Sequence, residues 1–416
     1  MTTNRSAPHA IVPDTPRSFP WQRALARRTD HIQPFEVMEY VKRAAELEAR
    51  GKPVIHMSIG QPDFTAPPAV MDALAAAIRQ GGDFGYTGAT GIAPLREAIA
   101  GHYRDRYGLS IDPARVIVTA GGSAALLLAC MALVEPGAEV LLTDPTYPCN
   151  RHFVASADGK PVLIPVGPDT AFQMTAEHVR RHWTERTAGV LLASPANPTG
   201  TSIPADEMRA IVDEVRARNG FTIVDEIYLD LSYGPFGASA DDPAARPQSV
   251  AALGDDVIVL NSFSKYFNMT GWRLGWLIAP PALVPVFEKL AQNIYICPSA
   301  LAQQAALACF RPETIAIYDQ RREAFRQRRD YIVPAIESVG LTVPVKPDGA
   351  FYVYVDCSGT GQSSSEFCRR LLDESWVCLV PGADFGFADP QRYLRLSYAT
   401  ALPKLEEAIG RIRRYL

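Results

Sequence analysis

Residues 116–134 read VIVTAGGSAALLLACMALV, an uncharged run close in length to the ~20 apolar residues that a membrane-spanning helix needs. The composition changes at its centre, where Gly121-Gly122-Ser123 separates the β-branched VIVT from a stretch rich in alanine and leucine. β-Branched residues favour strands, alanine and leucine favour helices, and glycine permits a tight turn between them. The run therefore predicts a strand, a turn and a buried helix, and not a membrane span.

Six similar apolar runs follow, separated by helical stretches. They are EVLLTD (139–144), PVLIPV (161–166), GVLLAS (189–194), FTIVDE (221–226), DVIVLN (256–261) and LGWLIA (274–279). Short apolar strands that alternate with helices are typical of a parallel sheet covered by helices on both faces. We therefore expect an α/β fold whose large domain has a mainly parallel seven-stranded sheet sandwiched by helices.

The C-terminal third has a different pattern. It predicts a long Arg-rich helix over about 312–339, a strand AFYVYVD (350–356), a helix from Ser363, and the segments CLVPG (378–382) and RYLRLSYA (392–399). These aromatic strands are expected to be edge-like and to pack with a helix over 34–50 and a short strand in VIHMSIG (54–60). We predict a flexible tail over 1–30, a smaller α+β domain from 31–60 and 301–416, and the large domain over 61–300.

Charge and cysteine content indicate which kind of partner and which cellular compartment to expect. The 416 residues contain 41 Lys and Arg against 45 Asp and Glu, so no net field favours nucleic acid or a membrane, and we expect a small-molecule partner. The 7 cysteines are scattered without a CxxC pair, which indicates reduced core residues, no metal site and a cytoplasmic location.

Two segments are interpreted as surface structure. The first thirty residues lack an apolar segment and are not a secretory signal; an organellar transit peptide is the alternative to a tail, because Asp14 is the only acid before Asp30. The Ala-, Pro- and Asp-rich stretch 234–247 predicts a surface loop.

Polar groups follow five of the predicted strands, where ligands of such sheets bind. The five loops are 121–123 (GGS), 144–147 (DPTY), 197–200 (NPTG), 225–228 (DEIY) and 262–265 (SFSK). In the last loop Lys265 lies between hydroxyls and aromatic rings, a setting that lowers an amine's pKa by desolvation and makes it a better nucleophile. Taken alone, the motif favours the simpler interpretation of a lysine that caps a turn.

The other loops supply groups that suit a phosphorylated, pyridine-based aldehyde. Backbone N–H groups of the glycine turn, Ser262, Ser264 and bidentate Arg273 would hold a phosphate, although the glycines alone also suit a simple tight turn. A carboxylate at Asp225 would pair with a protonated ring nitrogen. Hydrogen bonds from Tyr228 and Asn197 to the ring's phenolic oxygen would lower the pKa of the internal aldimine by favouring its deprotonated form. Tyr147 would stack on the ring, although each aromatic taken alone favours a core residue.

Together these residues resemble the class I/II pyridoxal-phosphate-dependent aminotransferases of fold-type I, which include aspartate aminotransferase. The resemblance runs from about residue 32 to the end of the chain. Its motifs are IGQPDF (59–64), Tyr86 with TGATGIAPLREAI (87–99), the Gly-Gly-Ser turn, DPTYP (144–148), ASPANPTG (193–200), VDEIY (224–228), SFSKYFNMTGWRLGW (262–276), VPGADFG (380–386) and YLRLSYA (393–399).

The resemblance implies a role for each matching residue. Lys265 matches the lysine that holds pyridoxal 5'-phosphate as a Schiff base and acts as general base. The remaining roles are Asp225 at the pyridinium nitrogen, Asn197 and Tyr228 at the phenolic oxygen, Tyr147 on the ring, Gly122, Ser123, Ser262, Ser264 and Arg273 at the phosphate, and Gly60, Asn197 and Arg395 at the substrate. Tyr86 matches a tyrosine that reaches the phosphate of the neighbouring subunit, which implies a homodimer with shared active sites.

The implied reaction moves an amino group from an L-amino acid to a 2-oxo acid, 2-oxoglutarate being the expected acceptor, by a ping-pong mechanism. Ser123 stands where some aspartate-specific relatives have a lysine, so a neutral donor is expected at least equally, with Phe64, Tyr295 and Ile296 as apolar walls and Arg27 or Arg28 as alternative carboxylate contacts. A β-elimination lyase is the alternative enzyme and an amino-acid sensor the remote one. A nicotinamide dehydrogenase is disfavoured because no G-x-G-x-x-G follows VIVT.

Overall fold

The computed structural model describes residues 25–234 and 247–416. Most of the predicted tail and of the predicted surface loop therefore lies outside the described residues. The described strands are β1 Ile55–His56, β2 Val116–Thr119, β3 Glu139–Asp144, β4 Lys160–Pro165, β5 Thr187–Ala193, β6 Phe221–Asp225, β7 Ile258–Ser262, β8 Gly275–Ile278, β9 Tyr352–Asp356, β10 Val377–Cys378, β11 Val380–Pro381 and β12 Tyr393–Ser397. The described α-helices are α1 Glu36–Ala49, α2 Pro68–Arg79, α3 Ala93–Tyr107, α4 Gly122–Leu133, α5 Pro148–Ser156, α6 Ala176–His182, α7 Ala205–Arg216, α8 Val284–Ile294, α9 Ala300–Ala306, α10 Pro312–Glu337, α11 Ser364–Ser375 and α12 Leu402–Tyr415.

The seven predicted strands form one sheet, as expected. Their order is β2-β8-β7-β6-β5-β3-β4, and only β8 runs antiparallel to its neighbours. Alternate residues of each strand enter two different cores; in β2, for example, Val116 and Val118 pack on one face and Ile117 on the other. Helices α4, α5 and α8 cover one face, while α3, α7 and α10 contribute to the core on the opposite face. Burial on both faces explains the continuous apolar runs in the sequence.

The run 116–134 folds as β2 and α4, which confirms the predicted strand, turn and helix. Gly121 precedes α4 with a φ of 87°, a backbone conformation that side-chain-bearing residues rarely adopt. Within the described ranges, no helix combines the length and apolar character required to cross a membrane. Five of the seven cysteines are buried, as predicted for core residues, whereas Cys149 and Cys297 are half-buried.

The C-terminal elements combine with the N-terminal segment, as predicted. The strands β1 and β10 pair in parallel, and β11, β12 and β9 form an antiparallel sheet in that order. The prediction that these strands are edge-like is wrong for β12, which is the central strand and is buried along its whole length. The aromatic side chains are covered because Phe172 packs edge-on against both Tyr354 and Tyr393. The proposed domain boundaries stay a prediction.

Candidate active site

A cavity of about 480 Å³ lies between the carboxyl ends of the central strands and α1. Its volume is within the ~300–1,000 Å³ typical of small-molecule sites. Twelve of the thirteen predicted site residues line it: Gly60, Gly122, Ser123, Tyr147, Asn197, Asp225, Tyr228, Ser262, Ser264, Lys265, Arg273 and Arg395. The loops converge because β2, β5, β6 and β7 point the same way and end at one edge of the sheet.

Lys265 lies three residues beyond the end of β7, and its amine points into the cavity. The Nζ atom donates a hydrogen bond to the carbonyl oxygen of Gly60 at 2.5 Å. Burial, reinforced by the nearby charge of Arg395 and only partly offset by Asp225, lowers the pKa of Lys265 from 10.5 to about 8. A sizeable fraction of this amine is therefore neutral, and so nucleophilic, near physiological pH.

Asp225 ends β6 and carries a carboxylate that the fold places in the same cavity. Burial raises its pKa to about 6, although the backbone N–H of Ile227, at 3.1 Å, and the charge of Lys265 both act to lower it. A raised pKa shows that nearby positive charge does not compensate for the desolvation of the ionised carboxylate. The carboxylate would be stabilised by a cation bound in the cavity.

The start of α4 and the loop after β7 form a cup that suits an anion. Ser262 Oγ lies 3.0 Å from Ser264 Oγ, and Arg273 Nη1 lies 3.5 Å from Ser264 Oγ. The Arg273 guanidinium lies so close to Gly121 that an added Cβ would stand 2.7 Å from Nη2. The glycine therefore allows an arginine beside the positive end of a helix, an arrangement that favours a bound anion.

Arg395, from the central strand β12, is buried at the opposite side of the cavity. Nη1 donates to Asn197 Oδ1 at 2.9 Å and Nη2 donates to the carbonyl oxygen of Ser58, while Nε has no hydrogen-bond partner. The guanidinium lies 4.6 Å from the ring centre of Tyr352 and 4.7 Å from that of Phe385. Packing between two rings fixes its orientation.

Tyr228 and Tyr147 bring aromatic rings to the cavity. The Tyr228 hydroxyl lies 2.8 Å from that of Tyr352, and the amine of Lys265 lies 5.8 Å from the Tyr228 ring centre. The ring of Tyr147 lies 6.3 Å from that of Phe35, the residue that precedes α1. The two tyrosines thus flank Lys265 and Asp225.

Several lining residues were not predicted from the sequence. Asp384 Oδ1 accepts a hydrogen bond from the backbone N–H of Glu36 at 2.8 Å and so ties the start of α1 to the cavity. The unpredicted lining side chains are Phe35, Val37, Met38, Val41, Ser58, Ile59, Leu126, Pro148, Ala193, Ile227, Thr270, Tyr352, Asp384 and Phe385. The helix over 34–50 and the motif VPGADFG were both visible in the sequence, but neither indicated which side chains face the site.

Four side chains suggested for the substrate region lie elsewhere. Phe64 packs against Phe325 with ring centres 5.5 Å apart, and neither Tyr295 nor Ile296 lines the cavity of its own chain. The Arg28 side chain bonds Asp158 at 2.8 Å, outside the cavity. The suggested placement of Phe64 and Arg28 is therefore wrong, because nothing in the local sequence pattern fixes where a loop side chain points. The suggested roles of Tyr295 and Ile296 stay predictions. The Arg27 side chain is outside the described part of the chain.

Tyr86 is 84% exposed and does not line the cavity of its own chain. Its predicted contact with a neighbouring subunit stays a prediction.

The cavity thus combines four functional groups that fit a phosphorylated pyridine aldehyde. A partly neutral amine lies at Lys265, a carboxylate short of positive charge at Asp225, an anion cup at Ser262–Arg273 and a fixed guanidinium at Arg395. The cup and the guanidinium can hold two different anionic groups, and burial and the charges of Arg395 and Arg273 all lower the pKa of the Lys265 amine.

Comparison with known proteins agrees with this geometry. Residues 52–412 match the family model described as aminotransferase class I and II. The chain is 38% identical to the valine–pyruvate aminotransferase of Mycobacterium tuberculosis, over 92% of this chain and 97% of that one. A crystal structure of an aminotransferase from M. tuberculosis superposes with a TM-score of 0.87 at 37% identity, covering 94% and 98% of the two chains. The aspartate aminotransferase of Thermus thermophilus with maleate gives a TM-score of 0.85 at 32% identity, covering 95% and 100%.

Proposed function

Because the chain belongs to the class I and II aminotransferase family, whose members are pyridoxal-phosphate-dependent transaminases, we propose that it moves an amino group from an L-amino acid to 2-oxoglutarate. The half-reactions follow ping-pong order, with Lys265 as the covalent attachment point of pyridoxal 5'-phosphate. The observation that carries the proposal is the Lys265 amine, with a pKa of about 8, lying in one cavity with Asp225 and Arg395.

Each residue has a task in this reaction. When bound, pyridoxal phosphate supplies a ring that accepts electrons from the α-carbon of the amino acid. Arg395 binds the α-carboxylate, for which its unpaired Nε and its orientation between two rings suit it. Lys265 would hold the α-proton as general base, since an amine with a pKa of about 8 is partly neutral at working pH. Asp225 would pair with a protonated ring nitrogen, and Tyr228 and Asn197 would donate hydrogen bonds to the phenolic oxygen.

A covalent trap tests the attachment point. The protein is loaded with pyridoxal phosphate, reduced with borohydride, digested and mapped by mass spectrometry. We expect the label on the peptide that contains Lys265, and loss of both the label and the visible absorbance band in Lys265→Ala. The exposed Lys289→Ala serves as the matched control and keeps both. A label on another lysine, or none, contradicts the proposal.

The walls of the cavity favour an uncharged amino donor. Phe35, which precedes α1, and Met38 and Val41 of α1 present an apolar surface, and the carboxylate of Asp384 also lines this cavity. In the described part of the chain, the cations that line the cavity are Lys265, Arg273 and Arg395, each of which has another task. One relative of this chain is named a valine–pyruvate aminotransferase, which supports the same class of donor.

A donor panel tests this class. With 2-oxoglutarate as acceptor, we expect kcat/KM for valine or leucine to exceed that for aspartate, measured as glutamate formed. A preference for aspartate contradicts the assignment of donor class while leaving transamination intact. Ammonia released without an acceptor would instead favour the lyase alternative.

We further propose a homodimer in which Tyr86 completes the partner's phosphate cup. Exposed apolar side chains lie on α2 (Met71 and Ile78) and on α9 (Leu301), and α2 packs against α9. Mixing inactive Lys265→Ala subunits with Tyr86→Ala subunits at limiting cofactor should restore activity, because one site of each mixed dimer keeps both residues. No recovery in a mixed dimer confirmed by mass would contradict sharing. The cytoplasmic location stays a prediction.

A further inference from the structure

An ionic network, buried except at the 36% exposed side chain of Asp319, lies outside the cavity of the candidate active site. We call it the α3 network and define it as His102, Arg106 and Tyr107 of α3, Asp230, Tyr266 and Asp319. None of the six residues lines the cavity. Two of them are nevertheless close in sequence to the proposed cofactor contacts: Asp230 follows Tyr228 by two positions, and Tyr266 follows Lys265 directly.

At the β6 end, Asp230 anchors the turn that carries Tyr228. Its carboxylate is 2% exposed and accepts hydrogen bonds from His102 Nε2 at 3.1 Å and from the Tyr107 hydroxyl at 2.8 Å. It also forms an ion pair with Arg106, whose Nε lies 2.6 Å from Oδ1. Burial alone would raise the pKa of Asp230, but His102 and Arg106 outweigh it and lower that pKa. The turn is therefore fixed by charged hydrogen bonds from α3 and not by apolar packing alone.

At the β7 end, Asp319 of α10 anchors the turn that carries Lys265. Its Oδ1 accepts the Tyr266 hydroxyl at 2.9 Å. Two residues along α10, Arg321 Nη1 donates to Asn268 Oδ1 at 2.7 Å, and Asn268 Nδ2 donates to the carbonyl oxygen of Lys265 at 2.9 Å. The backbone around Lys265 is thus held from α10 on both sides.

Arg106 joins the two ends. One face of its guanidinium lies 4.8 Å from the ring centre of Tyr266, while Nη2 donates to Asp319 at 2.9 Å and Nε meets Asp230. A planar fork that bridges two carboxylates fixes the distance between them. Buried ion pairs add little net stability compared with apolar packing, whereas a fully paired network fixes one geometry.

We propose that the α3 network is a positioning device that sets Tyr228 and Lys265 relative to each other, an inference that rests on the proposed function. Asp230 and Asp319 hold the two turns, and Arg106 keeps their separation constant. Tyr228 can then donate to the phenolic oxygen of the cofactor that Lys265 holds. Loosening the network weakens that hydrogen bond, so the pKa of the visible band rises and catalysis slows without loss of substrate binding.

Two variants with matched controls test the inference. Tyr266→Phe removes one hydroxyl, and its control is Tyr318→Phe, whose ring centre lies 5.2 Å from that of Tyr266 but whose hydroxyl contacts Cys309 instead of a carboxylate. Arg106→Lys keeps the charge but loses the fork, and its control is Arg104→Lys on the exposed side of the same helix. Tyr266→Phe carries the test alone if Arg106→Lys does not fold.

The readouts separate positioning from stability. For Tyr266→Phe we expect kcat to fall about 3- to 10-fold, less than the roughly 100-fold that a 1 Å misplacement can cost, with KM within about 2-fold. The pKa obtained by following the visible absorbance band of the cofactor-loaded protein against pH should rise by at least about 0.3 unit, whereas both controls should match the wild type.

If the band pKa and kcat of both network variants equal those of the controls while only the melting temperature falls, the network is merely structural and the inference is overturned. If the wild-type protein shows no visible band with added pyridoxal phosphate, the proposed function itself fails, which is a separate outcome.

Discussion

Replacing Lys265 by methionine should stabilise the cofactor-free protein near neutral pH. Methionine has nearly the length of lysine without the charge, and burial lowers the pKa of Lys265 from 10.5 to about 8. This difference in pKa means that protonated Lys265 lowers the free energy of unfolding by about 3 kcal/mol. Loss of the hydrogen bond to Gly60 takes back about 1 kcal/mol, so we expect a net gain of about 1 to 2 kcal/mol near pH 8.

The pH dependence gives the sharper test because the hydrogen-bond contribution cancels. Between pH 8 and 10.5 the unfolded chain binds more protons at Lys265 than the folded chain does, so wild-type stability rises with pH. The penalty is fully present below about pH 8 and is relieved as pH rises towards 10.5. The difference in the free energy of unfolding between Lys265→Met and the wild type should therefore shift by about 2 kcal/mol in favour of the wild type between about pH 8 and 10.

Urea unfolding of both proteins at one protein concentration measures this difference. Lys289→Met, at an exposed position of α8, removes the same charge without burial and should track the wild type at both pH values. A difference between Lys265→Met and wild type that stays constant with pH, or that grows in favour of the variant, would refute the claim that Lys265 is held partly neutral by burial.

Three further substitutions test the other groups of the cavity. Asp225→Asn should lower kcat about 10- to 100-fold, since a neutral amide loses a charge-assisted hydrogen bond to the ring nitrogen, and steady-state rates with unchanged cofactor content check this. Arg395→Lys should raise KM for the amino donor about 10-fold or more because the bidentate fork is lost, while the cofactor Kd stays constant; an unchanged KM would exclude Arg395 from carboxylate binding. Arg273→Met should weaken cofactor affinity about 10- to 100-fold in an absorbance titration, with donor KM little affected at saturating cofactor.

The sequence determined the sheet and most of the cavity. Strands buried on both faces must be continuously apolar, so VIVT and its six counterparts are recognisable, and polar residues that interrupt such runs must lie at strand ends. Because the carboxyl ends of parallel strands meet at one edge, we expected Asp225 at the end of β6 and Asn197 and Lys265 in the loops after β5 and β7 to converge on one site. The family motifs then supplied a role for each.

Only the tertiary structure decided what surrounds these groups. Phe64 was suggested as an apolar wall of the substrate region, yet its ring packs against Phe325 of α10. Asp384 lies far along the chain from Glu36 but caps its backbone N–H, and Arg106 joins two carboxylates from separate elements. Periodicity and composition report which residues are buried, whereas these contacts depend on how distant segments pack, and that information lies in no local window of the sequence.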